Sequence, residues 1–196
     1  MPAALSEDEK TTTEDPYDAW CRGLRASDRA AFEALFRAVY ADLFRYAQSL
    51  TADAAVAEDV VQEALLRLWI RRAALDPARS LRALLYVTVR NLALDQQRNS
   101  AKRQTLLKTM DNRQRPPTPG ETTGARILEA RILSWIEELP ARRREAFRLS
   151  RFDGLSYAEI ADVMGLSIKT VDNHIWLALQ HLRERLGQFE PDLLRP

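Results

Sequence analysis

Lys169, Thr170, Asn173 and His174 fall within six residues and, at helical pitch, occupy the first two turns of a helix that Ser167 can cap. These side-chain types meet nucleic acid well. An Asn amide pairs bidentately with adenine, a Lys ammonium reaches guanine or phosphate, and a helix N-terminus adds phosphate affinity. Their surroundings fit that use. Ile160, Ala161 and Met164 form the apolar face of a short helix that Ser156 and Glu159 can open as a capping box. Gly165 can take the left-handed backbone of a sharp turn, and Val171 and Ile175 supply the inward face of the second helix. This is the spacing of a helix-turn-helix, whose second helix enters the DNA major groove. Spacing alone leaves open a plain helix-glycine-helix crossing with no DNA role.

A second group lies upstream. Between Arg67 and Arg115 the chain carries twelve basic residues, opposed only by Asp76, Asp95 and Asp111, although its overall net charge is +1. Arg79, Ser80, Arg82, Arg90, Asn91, Arg98, Lys102 and Arg103 belong to this stretch. A local excess over a near-neutral whole suggests a polyanion footprint; a solvated basic face has the same composition. A third group precedes it: Glu58, Asp59, Gln62 and Glu63 edge a helix whose apolar row is Val60, Ala64 and Leu68, with Leu66 nearby. Acidic and amide groups beside apolar residues can pair with a partner's arginines around a small desolvated centre, and they also suit an ordinary solvated face.

Catalytic chemistry finds little support. There is no phosphate-cradling glycine loop and no paired-carboxylate motif. His174 and His181 share a helix face, yet no Cys or carboxylate set completes a metal site. The single cysteine, Cys21, excludes an internal disulfide framework and argues for a reducing compartment. Apolar runs such as Ala83–Val87 are far short of the ~20 residues of a membrane span. The expectation is a cytoplasmic protein that is no enzyme, needs no cofactor or metal and does not use a membrane.

The scaffold for these groups is helical. Six glycines and almost no apolar/polar alternation argue against strands. Ser27 is placed as the N-cap of a helix to about Leu50, with Phe32, Leu35, Phe36, Val39, Leu43, Phe44 and Ala47 on its buried stripe. Asp53 caps the next helix, to about Arg72, and Asp76-Pro77 marks a break. Ser80 opens a third helix through Leu81, Leu84, Leu85, Val89, Leu92 and Leu94. A short helix near Tyr17–Leu24 precedes them. Residues 17–103 thus read as one compact domain after an acidic, unstructured stretch, 1–16. Residues 104–124, holding Pro116, Pro117 and Pro119, read as a linker. Residues 125–188 form a second domain of four helices, divided at Leu139-Pro140 and Asp153-Gly154, and 189–196 a tail. The expected fold is all-α, two small helical domains joined by a flexible linker.

At this point the chain resembles a family. Glu138-Leu-Pro-Ala-Arg-Arg-Arg-Glu-Ala-Phe, Asp153-Gly-Leu-Ser-Tyr-Ala-Glu-Ile-Ala and Ser167-Ile-Lys-Thr-Val resemble region 4 of bacterial RNA polymerase sigma factors of the sigma-70 family. Ala57-Glu-Asp-Val-Val-Gln-Glu-Ala-Leu-Leu-Arg-Leu-Trp resembles region 2.2. Leu84-Leu-Tyr-Val-Thr-Val-Arg-Asn-Leu-Ala-Leu-Asp-Gln-Gln-Arg resembles regions 2.3 and 2.4. Their order and the linker are similar to the extracytoplasmic-function (ECF) group, over about residues 25–186. The resemblance implies core RNA polymerase and promoter DNA as partners. It puts Glu58, Asp59, Gln62, Glu63 and Leu66 on the clamp coiled coil of the largest polymerase subunit. It puts Arg79, Ser80, Arg82, Asn91, Arg98, Lys102 and Arg103 on the −10 element, with Asn91 helping to hold an unstacked base in a pocket walled by Ala73–Ser80. Lys169, Thr170, Asn173 and His174 would read the −35 element. Members are commonly held by an anti-sigma factor, which nothing in the sequence identifies or excludes.

One departure stands out. Relatives often carry Arg or Lys before the Ala-Leu that corresponds to Ala178-Leu179, where this chain has Trp176-Leu177, and Asp172 adds a negative charge. Counterion release on phosphate contact would be modest, so the unaided −35 affinity is expected to be low. Trp176 and Leu177, if exposed together, make an apolar patch suited to another DNA-bound protein; Leu177 packing inward is the alternative. Asp95 is read as tying its helix to a neighbouring arginine, and Tyr86 as either core or DNA-facing. Two rival functions remain at this level. One is a stand-alone helix-turn-helix regulator with a dimerising first domain, which leaves Ala57–Trp69 unexplained. The other is a sigma-derived adaptor that binds polymerase without starting transcripts from bare DNA.

Overall fold

The computed structural model describes residues 15–106 and 124–189. The acidic stretch up to residue 14, most of the expected linker and residues 190–196 lie outside the described residues. Eight α-helices and one 3-10 turn follow in order, with no strand among the described residues: α1 (Pro16–Arg25), α2 (Arg29–Thr51), α3 (Ala54–Ile70), the 3-10 turn (Arg72–Ala74), α4 (Leu81–Leu106), α5 (Gly124–Glu137), α6 (Ala141–Arg151), α7 (Tyr157–Met164) and α8 (Ile168–Phe189).

Helix starts follow the short polar side chains. Asp53 caps α3, its carboxylate accepting from the backbone N–H groups of Ala55 and Val56. Ser80 accepts from the N–H of Ala83 at 3.1 Å and so opens α4. Two starts differ from the sequence reading. Asp15 caps α1 and Pro16 is its first residue, so both belong to the first domain and not to the stretch before it. Asp28, not Ser27, caps α2, accepting from Ala30 at 2.8 Å. Ser27 instead sits at φ +60° in the turn from α1, where its hydroxyl accepts from Arg72 at 2.9 Å. Helix α4 also runs past residue 103 into the expected linker.

Helices α1 to α4 enclose Leu24, Leu35, Leu43, Val61, Leu85 and Val89, all essentially without solvent contact. Tyr86 is core, not DNA-facing. The buried stripe of α2 is narrower than expected. Phe36 is exposed and Phe32 and Phe44 are half-buried, because three neighbouring helices cannot cover so wide a band. Phe36 instead stacks on Tyr40 (centroids 5.1 Å apart), and Phe32 packs against Trp69. Leu84, on α4, is likewise exposed.

Gly23 sets how closely α1 approaches α2: a Cβ there would lie 2.4 Å from that of Ala31. Gly23→Ala is therefore expected to cost about 2 kcal/mol through overpacking, lowering the melting temperature by several degrees. An unchanged thermal melt would refute the close crossing.

In the second half, Ile136, Leu139, Phe147 and Ala178 form a small cluster where α5, α6 and α8 meet. The larger cluster around Leu149, Ile160, Val171 and Ile175 is continuous with that of the first four helices, because α7 lies against α4.

Candidate nucleic-acid and partner interfaces

The α7–α8 pair is a helix-turn-helix. Its capping box is complete: the Glu159 N–H donates to Ser156 Oγ at 3.3 Å, and the Ser156 N–H donates to Glu159 Oε2 at 2.9 Å. Gly165 turns the chain at φ +64°, and the backbone N–H of Leu166 closes onto the carbonyl of Ala161. Ser167 caps α8 by accepting from the N–H of Thr170 at 3.1 Å. With Ile160, Val171 and Ile175 buried, the opposite side of α8 presents Lys169, Asp172, Asn173 and Trp176 around one shallow concavity shared with Ser167 and Thr170.

Not all expected contacts are equally free. The Thr170 hydroxyl is hydrogen-bonded to Ser167 Oγ at 2.8 Å. His174 is half-buried; burial, then the charges of Arg143 and Arg142, push its imidazole below the usual histidine range, so it meets neutral pH uncharged. Trp176 is exposed and Leu177 half-buried, so the pair does not form one open patch: Trp176 shares the face of Lys169 and Asn173. Sequence reasoning missed Arg142 and Arg143, which bring positive charge from α6 beside the weakly charged recognition helix. Their only signal was the triplet Arg142-Arg143-Arg144.

On the first domain a cleft of about 200 Å³ opens between α3 and α4, lined by Arg67, Leu68, Arg71, Leu75, Leu84, Leu85, Thr88 and Asn91. Exposed Asn91 and half-buried Thr88 border an apolar floor, and Arg67 and Arg71 bring positive charge. Of the expected wall, Ala73–Ser80, only Leu75 takes part; opposite α4 the rest comes from Arg67 and Leu68 of α3 and from Arg71, just past its end. The reason is local: the 3-10 turn carries Arg72–Ala74 away, and Ser80 is engaged elsewhere.

The remaining basic candidates scatter. Arg79 is open to solvent with Asp76 at 3.7 Å, and Arg98 pairs with Asp95 at 3.2 Å, as Asp95 was read to do. Lys102 and Arg103 lie on the last turns of α4, where only the backbone is described. Ser80 donates to Glu159 at 2.7 Å, and the Arg82 guanidinium donates to the carbonyls of Asp153 and Gly154.

On α3, Glu58, Asp59 and Gln62 are exposed and Glu63 is half-buried, while Val60, Ala64 and Leu68 are core. Gln62 donates to Glu58 at 3.2 Å and Arg67 to Glu63 at 2.7 Å. Leu66 is 52 % exposed and Ile70, one turn on, 65 %, so two apolar side chains stand in solvent beside the acidic row. Ile70 was missed, although i, i+4 spacing from Leu66 was its signal.

Asp153 is a buried carboxyl, 7 % exposed, whose pKa burial pushes up to about 6. Arg45, then the Tyr86 hydroxyl and Arg148, pull it down, and Asp42 raises it. A raised carboxyl pKa favours the protonated form in the fold. The associated stability is therefore full below about pH 4 and is lost as pH rises through about 6. Asp153→Asn is expected to raise stability at pH 7.5, by up to about 3 kcal/mol, and to leave it unchanged near pH 3.5. Thermal melts of both proteins at the two pH values check this; a constant difference would sink the assignment.

Among the described residues no cluster of His, Cys, Asp and Glu is arranged to hold a metal, and no helix is long and apolar enough to cross a membrane.

Both halves of the chain are similar to known proteins. Residues 35–103 match the family described as Sigma-70 region 2, and residues 129–182 match Sigma-70, region 4. The chain is 40 % identical over 174 residues to the ECF RNA polymerase sigma factor SigL of Mycobacterium tuberculosis, covering 84 % of this chain and 96 % of that one. It is 29 % identical over 163 residues to the ferric citrate uptake sigma factor FecI of Escherichia coli, covering 79 % and 94 %. Among solved structures, CnrH in complex with the cytosolic domain of CnrY aligns with a TM-score of 0.63 at 25 % identity, over 89 % of this chain and 99 % of that one.

Proposed function

We infer, from a chain that belongs to the extracytoplasmic-function group of the sigma-70 family, a protein that directs RNA polymerase to promoters through three separate faces. The chain is a sigma factor: it binds core polymerase, recognises promoters and supports transcription initiation. Leu66 and Ile70 form the desolvated centre of polymerase docking, with Glu58, Asp59, Gln62 and Glu63 pairing with basic side chains around it. The α3–α4 cleft receives one unstacked base of the −10 element. Leu75, Leu84 and Leu85 give that base an apolar floor, Asn91 and Thr88 hydrogen-bond its edge, and Arg67 and Arg71 meet the backbone beside it. Removing a base from the stack costs a few kcal/mol, and these contacts offset it.

Helix α8 reads the −35 element through Asn173 and Lys169, with Arg142 and Arg143 adding phosphate contacts. Asp172 opposes phosphate, so −35 affinity stays modest, and a second DNA-bound protein would find Trp176, not Leu177, as its anchor. An anti-sigma partner is proposed by analogy with CnrH, solved with CnrY, and with the Bartonella quintana RpoE, solved with NepR. RNA synthesis belongs to the polymerase, so the chain is proposed as no enzyme, acting in the cytoplasm where polymerase works.

The observation that carries this reading is the cleft with Asn91 at its rim, between the helices that match region 2. The test is in vitro transcription from a randomised promoter library with core polymerase and this chain. Specific start sites sharing a −10 motif are the expected result. Core binding without transcripts from bare DNA would make the chain an adaptor placed by another protein.

A further inference from the structure

A cavity of about 370 Å³ opens between α2 and the α5–α6 segment, and its lining shares no residue with the three faces assigned above. That lining is of two kinds. Leu133 of α5 and Phe152, just past α6, are large apolar side chains left 46 % and 47 % exposed. Arg45 of α2 joins Arg148 and Arg151 of α6 to bring three guanidinium groups. Buried Tyr46 and Asp153 complete the inner side. The polar neighbours are already engaged. The Tyr46 hydroxyl donates to Glu145 at 2.8 Å, and Ser49 Oγ donates to the Tyr46 carbonyl at 2.7 Å. The arginines are held more loosely. Arg45 pairs with Asp42 at 2.8 Å and Arg148 with Glu137 at 3.1 Å, both in pairs open to water. Arg151 is exposed and has no ion pair among the described residues.

We propose that this cavity binds a nucleoside diphosphate or triphosphate, with the base against Phe152 and Leu133 and the phosphates on Arg45, Arg148 and Arg151. Its volume falls within the roughly 300–1,000 Å³ of small-molecule sites. The Phe152 ring is fixed edge-to-face on Phe147, with centroids 6.5 Å apart, and so offers a base a rigid surface to stack on. The Arg148 guanidinium lies 5.9 Å from the centre of that ring, at the junction of the apolar and basic parts. Exposed ion pairs contribute little, so Arg45 and Arg148 exchange a carboxylate readily for a phosphate, which carries more charge and matches the guanidinium fork. The orientation follows from Asp153. Its buried carboxyl repels phosphate from the inner side, which leaves the phosphates with exposed Arg45 and Arg151. A longer anionic tail stays in basic surroundings, because Ser49 and Arg148 also border a neighbouring cavity to which Arg142 and Arg144 contribute. Inorganic phosphate would leave Phe152 and Leu133 in water, and a purely apolar ligand would leave the arginines unused.

The test is calorimetric titration of GTP, ATP and sodium tripolyphosphate into the full chain, without polymerase or DNA. At least one of the two nucleotides is expected to saturate a single site. Tripolyphosphate has the phosphate chain but no base, and is expected to bind at least about 10-fold more weakly. Arg151→Ala and Phe152→Leu are each expected to weaken the nucleotide about 5-fold. Arg183→Ala, which removes the same charge from α8 away from the cavity, is expected to stay within about 2-fold of the parent. Thermal melts confirm that each variant is folded. If Phe152→Leu is not, Leu133→Ser, on an exposed side chain, takes its place with the same expected loss. No saturable heat from either nucleotide would overturn the proposal. So would tripolyphosphate binding as tightly as the nucleotide, which would mean a basic surface without a place for a base. Parent-like affinity in both cavity variants would overturn it as well, by putting the nucleotide elsewhere. Because polymerase and promoter are absent, none of these outcomes bears on the transcription reading.

Discussion

Asn91→Ala is expected to cut specific transcript yield about 20-fold while leaving the affinity for core polymerase within 2-fold. The amide is exposed at the mouth of the α3–α4 cleft. It offers two donors and an acceptor to a base edge. Losing such a bidentate contact is worth about 1–3 kcal/mol, which spans roughly 5-fold to 150-fold. The side chain supports no core packing, so thermal stability is expected to stay within about 0.5 kcal/mol of the parent. Run-off transcription from a library-selected promoter, with holoenzyme assembly measured separately, checks it. Equal yields from the two proteins would mean that the cleft does not hold a base.

Leu66→Arg acts on a different step. It is expected to weaken core polymerase binding about 30-fold, or about 2 kcal/mol, without changing the melt of the free protein. Leu66 and Ile70 are the most exposed large apolar side chains of α3, and they border Glu63 and Gln62. A face of this make-up matches a partner surface that is apolar at its centre and basic at its rim. An arginine at its centre would lose buried area and meet like charge. Titration of labelled chain with core polymerase reads the effect. An affinity within 2-fold of the parent would move the docking site off α3.

What could be read from the sequence is what short-range chemistry specifies. The helix-turn-helix was legible because its signals lie within one turn of one another: Ser156 with Glu159, Gly165 in the left-handed turn, Ser167 with Thr170. The start of α2 slipped by one residue because Ser27 and Asp28 can both cap, and only the left-handed turn at Ser27 decides between them. Phe36 was misplaced because periodicity gives the direction of a face but not how many helices cover it. Asn91 was found in sequence, whereas Arg67 and Arg71, which also line the cleft, come from the end of α3 and the residue just past it. Least legible were the bonds between the domains. Arg90 and Glu145 are 55 residues apart, Ser80 and Glu159 are 79, and Tyr46 and Glu145 are 99, distances over which no local pattern operates.

Helix α7 leaves only Ala158 and Asp162 fully open among its eight residues, since it is wedged between α4 and α8. Such a helix answers to two neighbours at once, so drift at Ile160, Val163 or Met164 has to suit both. The domains of this chain are consequently poor candidates for part-exchange. A chimaera that grafts its second half onto another factor's first half would carry an apolar flank with no counterpart. Insolubility of such hybrids would then reflect a mismatched flank, not a defect in either promoter-reading surface. Successful grafting would require the facing residues of α4 to travel with the transplanted half.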